Sequence, residues 1–220
     1  MDPAKVWGLL LMIFMPIMII SIASNATMRT TGVYNYNLSS SQILSTMTVS
    51  IDQSDLTDLF GKYMQHRTGV FQMKQSTAYN PQNVFTAADQ RFMHNLRTFL
   101  DVDLAIGIVA TIITGLAMFF LIRWKKHEIH MRYFKRGAVI FLIMTAVFTV
   151  IKLITPVLDF VISPLKGTGF KEGDALITIL SAGFSHTEIL FEVLISMIIF
   201  GVLIYVTYQA AGRKKIFNGY

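Results

Sequence analysis

FTAADQRFMHNLRTFLDVDLAIGIVATIITGLAMFFLI, residues 85–122, reads as an amphipathic helix that continues into a membrane span. Phe85, Phe92, Leu96 and Phe99 recur at helical spacing on one face, and Gln90, His94, Arg97 and Asp101 fall on another. From Leu104 to Ile122 there is no charge. At ~1.5 Å per residue that run reaches roughly the ~30 Å thickness of a hydrocarbon core. The polar stripe therefore holds a histidine within a few turns of a bilayer surface, and the rest of the chain either embeds this helix or completes a site beside it.

The composition agrees with a membrane protein. Of 220 residues, 53% are hydrophobic and 15% charged, and the mean hydropathy is +0.53. The apolar residues come in blocks, unlike the dispersed pattern of a soluble core. The net charge of +6 raises the question of nucleic acid, but the cations sit beside the apolar blocks, which fits topology and anionic lipid better. No nucleic-acid partner is expected. With no cysteine, disulfides, thiolate nucleophiles and zinc–thiolate sites are excluded.

Four spans follow, at about 6–23, 104–122, 137–155 and 189–208, giving an all-α membrane protein with a single integral membrane domain over 1–220. Pro16 lies inside the first run, where neighbouring helices can cover the carbonyl it frees. A cleaved signal peptide is the rival there, but the run is longer than the ~7–15 residues of a usual signal core and the flanking Lys5 is opposed by Asp2. The loop 123–136 holds Arg123, Lys125, Lys126, Arg132, Lys135 and Arg136 against Glu128 alone, and such loops stay cytoplasmic. Both termini are then inside, and the segments 26–103 and 156–188 outside, at the cell membrane.

The segment 26–103 is small and mainly helical. Ile43, Leu44 and Met47 predict one short helix over Ser39–Met47, and Ser54 reads as the N-cap of a second over Asp55–Gln65. Gly69–Gln75 has the pattern of a brief strand. Without disulfides such a segment needs the outer ends of the spans to pack on. Ala175–Phe184, apolar but too short to span, reads as an interfacial or re-entrant piece.

His94 is the leading candidate for chemistry, with Gln90, Arg97 and Asp101 on its face. An imidazole suits a general base, and this one is expected within hydrogen-bonding or one-water reach of another polar side chain at the outer interface, beside a cleft open to lipid. Ser185, His186, Glu188 and Glu192 form a second cluster at the mouth of the fourth span, where Lys152 is the expected partner of Glu192. His127 and His130 stand three apart in the basic loop, where a solvated or headgroup-facing surface is the better reading than a metal site. Nothing distinguishes His66 from a surface residue. Phosphate loops, H-E-x-x-H and G-x-S-x-G are absent. No metal and no cofactor are expected.

The layout resembles the Gram-positive lipoprotein intramolecular transacylases, small bacterial integral membrane proteins, with this chain as a divergent member. FTAAD followed by MHNLRTFLDV is similar to that family's S-x-x-E, His and Asp-Val run, and DALITILSAGF to its Asp-x-Leu-Ile segment. Two departures stand out. His94 lies farther ahead of Asp101–Val102 than in the family, and no histidine occurs between Asp159 and Phe170. Either His186 substitutes for the second histidine, or the activity is lost or changed. The resemblance implies an acyltransferase that moves a lipoprotein's sn-2 acyl chain to the amine of its own lipidated N-terminal residue.

In that setting His94, His186, Arg97 and Asp101 are the expected catalytic residues, with Gln90, Lys166, Ser185 and Glu188 binding substrate. Arg97 or Lys166 supplies charge for the oxyanion. The expected partners are membrane lipid and diacylglyceryl lipoproteins. The alternative is a non-enzymatic four-span protein whose external segment binds a partner, and a His94 that points into bulk solvent favours it.

Overall fold

The computed structural model describes residues 2–41, 44, 51–75, 82–154, 176, 179–180 and 184–212. The elements run α1 (Pro3–Arg29), α2 (Thr31–Ser41), α3 (Gln53–Met64), β1 (Lys74–Gln75), β2 (Gln82–Asn83), α4 (Ala87–Arg123), α5 (His127–Leu153) and α6 (Phe184–Gly212). Helices α1, α4, α5 and α6 are long and apolar enough to cross a membrane. They contain the four apolar runs of the sequence, and the chain is an all-α membrane protein whose mainly helical segment lies between the first two spans. Two compact units form: one from 1–25, 102–148 and 192–220, the other from 26–101 and 149–191.

In the first unit α1 is the hub. Its most apolar window is 44% buried, against 6% for that of α6. Leu11, Met15, Met18 and Ile19 recur every three or four residues and bury against Ala110, Ala117, Met118 and Leu121 of α4 and Phe134 and Phe141 of α5. Small residues allow the close approach. A Cβ on Gly8 would overlap the Tyr133 ring, and one on Gly137 would lie 3.2 Å from the Met12 carbonyl oxygen. Gly8→Val is therefore expected to lower stability by about 1–3 kcal/mol, the cost of overpacking. Thermal unfolding in detergent checks this, with Gly201→Ala, which meets open space, as the silent control.

Where α4 leaves the apolar run, Asp103 accepts from Ser21 Oγ at 2.8 Å and from Asn25 Nδ2 at 2.7 Å. Asn25 is buried and also donates to the Ser21 carbonyl at 3.1 Å. A carboxylate at this depth needs such donors, because unsatisfied charge is costly near hydrocarbon. His130 differs from expectation. It is buried on α5, its ring edge-on to Phe134 at 6.4 Å, and is no part of a solvated surface. Helical phase explains this: His130, Phe134, Gly137 and Phe141 share one buried stripe.

The second unit is built on aromatic rings. Tyr34 stacks on Phe60 at 4.6 Å, Phe60 meets Phe71 at 5.0 Å, Phe71 meets Phe85 at 4.5 Å, and Tyr34 also stacks on Phe184 at 5.5 Å. The chain of rings joins α2, α3, the strand pair and the start of α6, with Leu176 and Ile179 buried in the same core. Burial, and secondarily the Glu188 carboxylate, push the Tyr34 phenol above its ordinary pKa, so it stays a donor, to the Met28 carbonyl at 2.7 Å. A Cβ on Gly61 would collide with the Thr31 side chain, which is how α2 and α3 come so close.

Several local expectations shift. A short helix forms over Thr31–Ser41, and of the helix expected over Ser39–Met47 the positions 42–43 and 45–47 lie outside the described residues. The second is capped by Asp52, not Ser54. The Asp52 carboxylate accepts the Ser54 and Asp55 amides at 2.7 and 3.4 Å, and the Ser54 hydroxyl and amide hold it below its usual carboxylate range. The brief strand contracts to Lys74–Gln75, antiparallel to Gln82–Asn83. The Gln72 side chain extends that ladder by bonding both the Phe85 amide, at 3.1 Å, and its carbonyl, at 2.9 Å.

Helix α4 begins at Ala87 with a capping box. Thr86 Oγ1 accepts the Asp89 amide at 3.2 Å, and Asp89 Oδ2 accepts the Thr86 amide at 2.9 Å. Phe85 thus stands before the helix. The buried face is Phe92, Met93 and Leu100, while Phe99 is exposed.

Candidate functional site

Helix α3 ends in a Schellman turn: the His66 amide bonds the Tyr63 carbonyl at 3.1 Å and the Arg67 amide bonds the Lys62 carbonyl at 2.8 Å. The residue at the turn's left-handed position, normally glycine, is His66, with φ 60°. A side chain there is unfavourable by about 1–2 kcal/mol, and such outliers gather at working sites. His66 Nε2 lies 2.9 Å from Asp101 Oδ1 on α4, and Arg29 Nη2, at the end of α1, lies 2.7 Å from the same oxygen. Among the described residues this is where a histidine meets a carboxylate within hydrogen-bond distance.

The turn is held on every side. Arg29 Nη1 donates to the Met64 carbonyl at 2.8 Å, and Gln65 Nε2 donates to the Arg29 carbonyl at 2.8 Å. The Arg97 guanidinium lies over the Tyr63 ring at 4.2 Å, and its Nη1 reaches the carbonyls of Tyr63 and Thr68 at 3.4 and 3.2 Å. Partial burial raises the Asp101 pKa, but the bonds and charges of Arg29 and His66 more than offset it, so the carboxyl titrates below its ordinary range. An ionised Asp101 accepts from an Nε2–H tautomer of His66, which leaves a lone pair on Nδ1. The His66 side chain is half exposed, so a substrate can approach it.

A sequence profile of the lipoprotein intramolecular transacylase family, Lit, matches residues 9–162. The chain belongs to the lipoprotein intramolecular transacylase family. Solved structures agree at the level of fold. An in meso structure of Lit from Bacillus cereus with one histidine replaced by alanine has a TM-score of 0.72 over 97% of this chain and 96% of that one, at 10% identity. A further in meso structure of Lit from Bacillus cereus gives 0.67 over 97% and 98%, at 12% identity. No curated protein sequence matches. As a transacylase family member, the chain is a multi-pass membrane protein of a family whose substrates are lipoproteins.

Of the residues singled out in the sequence, Arg97 and Asp101 come together around the His66 turn. His94 does not join them. It is exposed, and among the described residues no side chain bonds its ring; most of the loop expected to face it lies outside the described residues. The reason is geometric: seven residues separate it from Asp101, and α3 ends beside Asp101. Gln90 is half-buried on the same helix. At the start of α6, Ser185 is half-buried and His186 exposed, while Thr187 is buried and donates to Asn37 Oδ1 at 3.5 Å. Glu188 binds Lys152 at 3.0 Å, a pairing one turn before the Glu192 expected to meet Lys152. Lys166 lies outside the described residues.

Sequence reasoning missed His66 and Arg29. Both contacts to Asp101 bridge long stretches of chain, and no periodicity reports them. One signal was present. Helix α3 stops at Met64, yet the first glycine after it is Gly69, so a left-handed turn at its end falls to a residue with a side chain.

Proposed function

We propose that this protein transfers the sn-2 acyl chain of a diacylglyceryl lipoprotein to the amine of that lipoprotein's own N-terminal residue, at the outer leaflet, with His66 as general base. The reading is carried by one observation, the His66–Asp101 pair at 2.9 Å on a turn whose backbone is unfavourable for histidine. The substrate ammonium gives one proton to interfacial water, and as the free amine attacks the ester carbonyl His66 Nδ1 takes a second proton from the attacking nitrogen. The amide C–N bond forms as the ester C–O bond breaks, and that proton passes from His66 to the departing sn-2 oxygen. Asp101 orients the ring and stabilises the imidazolium, while Arg29 keeps Asp101 ionised.

Because ester and amine belong to one lipid-anchored molecule, holding them in attack geometry supplies much of the rate. The cationic loop 123–136 supports cytoplasmic termini, with the site on the other side. Gln90 on α4, and Ser185 and His186 on α6, then serve the lipoprotein headgroup. Lys166 is retained as a source of charge for the oxyanion. The exposure of His94 is what a partner-binding protein without catalysis anticipates, but the family and the His66–Asp101 pair favour the enzyme.

Mass spectrometry of a lipidated model substrate expressed with each variant tests the reading. His66→Ala is expected to leave the substrate in its diacylglyceryl form, and His94→Ala to leave acyl transfer within a few-fold of wild type. Loss of transfer in His94→Ala with retention in His66→Ala would return the base to His94.

A further inference from the structure

We propose that Arg97 is a positioning residue that fixes the backbone turn beneath His66, and that it takes no part as an oxyanion donor. The proposal rests on the reading of His66 as the base. Asp101 and Arg97 lie one turn apart on α4, and both grip the same turn at the end of α3. Asp101 holds the imidazole through its side chain. Arg97 holds the main chain that carries it.

The geometry of Arg97 suits that task. Its Nη1 bonds the carbonyls of Tyr63 and Thr68, the residues that flank the left-handed position on either side. The carbonyl of Tyr63 also closes the Schellman turn by accepting the His66 amide at 3.1 Å. The guanidinium lies over the Tyr63 ring at 4.2 Å. A histidine with positive φ persists only where its surroundings over-determine it, and these contacts are the ones that bracket the strained residue. With both N–H groups of Nη1 given to carbonyls of the turn and the plane laid on the Tyr63 ring, the orientation of the guanidinium is set by the turn.

Lysine cannot reproduce the arrangement. An ammonium offers a point charge where a planar guanidinium spans two carbonyls and stacks on an aromatic ring at once. Removing the clamp lets the His66 turn relax toward ordinary backbone angles, and displacement of a reacting group by about 1 Å costs ~10²-fold in rate. Substrate affinity has no reason to change with it.

The test uses the full-length protein in lipid nanodiscs with a diacylated lipopeptide, comparing wild type, Arg97→Met, Arg97→Lys and His66→Ala. Kinetics are combined with imidazole nitrogen and proton NMR of histidine-labelled protein, in which His66→Ala assigns one of five histidines. Arg97→Met is expected to lower kcat by about 10²-fold with KM within twofold, and to erase the low-field Nε2–H signal of the His66–Asp101 bond. Arg97→Lys, which keeps the charge, is expected to fall between Met and wild type in both readouts.

A kcat loss with the His66 signal unchanged would make Arg97 an oxyanion donor and overturn the proposal. So would a raised KM with kcat intact, or full activity in Arg97→Met. If Arg97→Met does not fold, the Arg97→Lys signal and kcat decide on the same terms. Activity retained in His66→Ala would instead remove the general-base reading, so the two failures are separable.

Discussion

His66→Gly is expected to be more stable than His66→Ala by about 1 kcal/mol, while both lose acyl transfer by about 10²- to 10⁴-fold. The two variants delete the same imidazole and the same bond to Asp101, so that loss cancels in the comparison. What differs is the Cβ at φ 60°. Alanine retains the steric cost of the left-handed backbone and glycine does not. The ordering is read from thermal unfolding in detergent and the activity from substrate mass. Lys125, with φ 56° in the turn that closes α4, supplies the control, since Lys125→Gly should gain stability to a similar extent with transfer unchanged. Equal melting of the glycine and alanine variants at position 66 would mean that no backbone cost is stored there.

The largest expected loss of stability comes from Phe71→Ala, about 3–5 kcal/mol. Phe71 is 1% exposed and touches three rings, with centroids at 5.0 Å to Phe60, 5.3 Å to Tyr63 and 4.5 Å to Phe85. Truncation removes the transfer energy of the ring and leaves a void between α3 and the start of α4 that aromatic neighbours fill poorly. The neighbouring Val70 is 58% exposed, and Val70→Ala should fall within ~0.5 kcal/mol of wild type. Because Tyr63 carries the Arg97 stack, activity in Phe71→Ala should fall before the protein unfolds globally. Indistinguishable melting of the Phe71 and Val70 variants would show that the aromatic chain is not the core of its unit.

The spans were legible because long uncharged runs admit few alternatives: Leu104–Ile122 has the length that bilayer thickness demands, and it falls inside α4. Phase was harder. Phe92, Leu96 and Phe99 do share a helical phase, but the face that α4 buries is centred nearer Met93 and Leu100, so Phe99 falls at its exposed edge. Asp52 and Ser54 are both good caps, and only the bonds distinguish them. His94 drew attention because it shares a stripe with Arg97 and Asp101, whereas His66 reaches Asp101 from another helix, and one-dimensional spacing carries no information on that. Lys152 raised the same difficulty at smaller scale, since a carboxylate one helical turn away, at 188 or at 192, is equally consistent with the chain when the depth of a loop is unknown.

At 37 residues α4 is longer than a bilayer is thick, and it runs without interruption from its capping box to Arg123. Asp101 is therefore geared to the lipid. Three positions of one helix, ~4.5 Å, separate the carboxylate from the uncharged run that begins at Leu104, so membrane thickness and the tilt of α4 become adjustments on the level, among the headgroups, at which Asp101 is held.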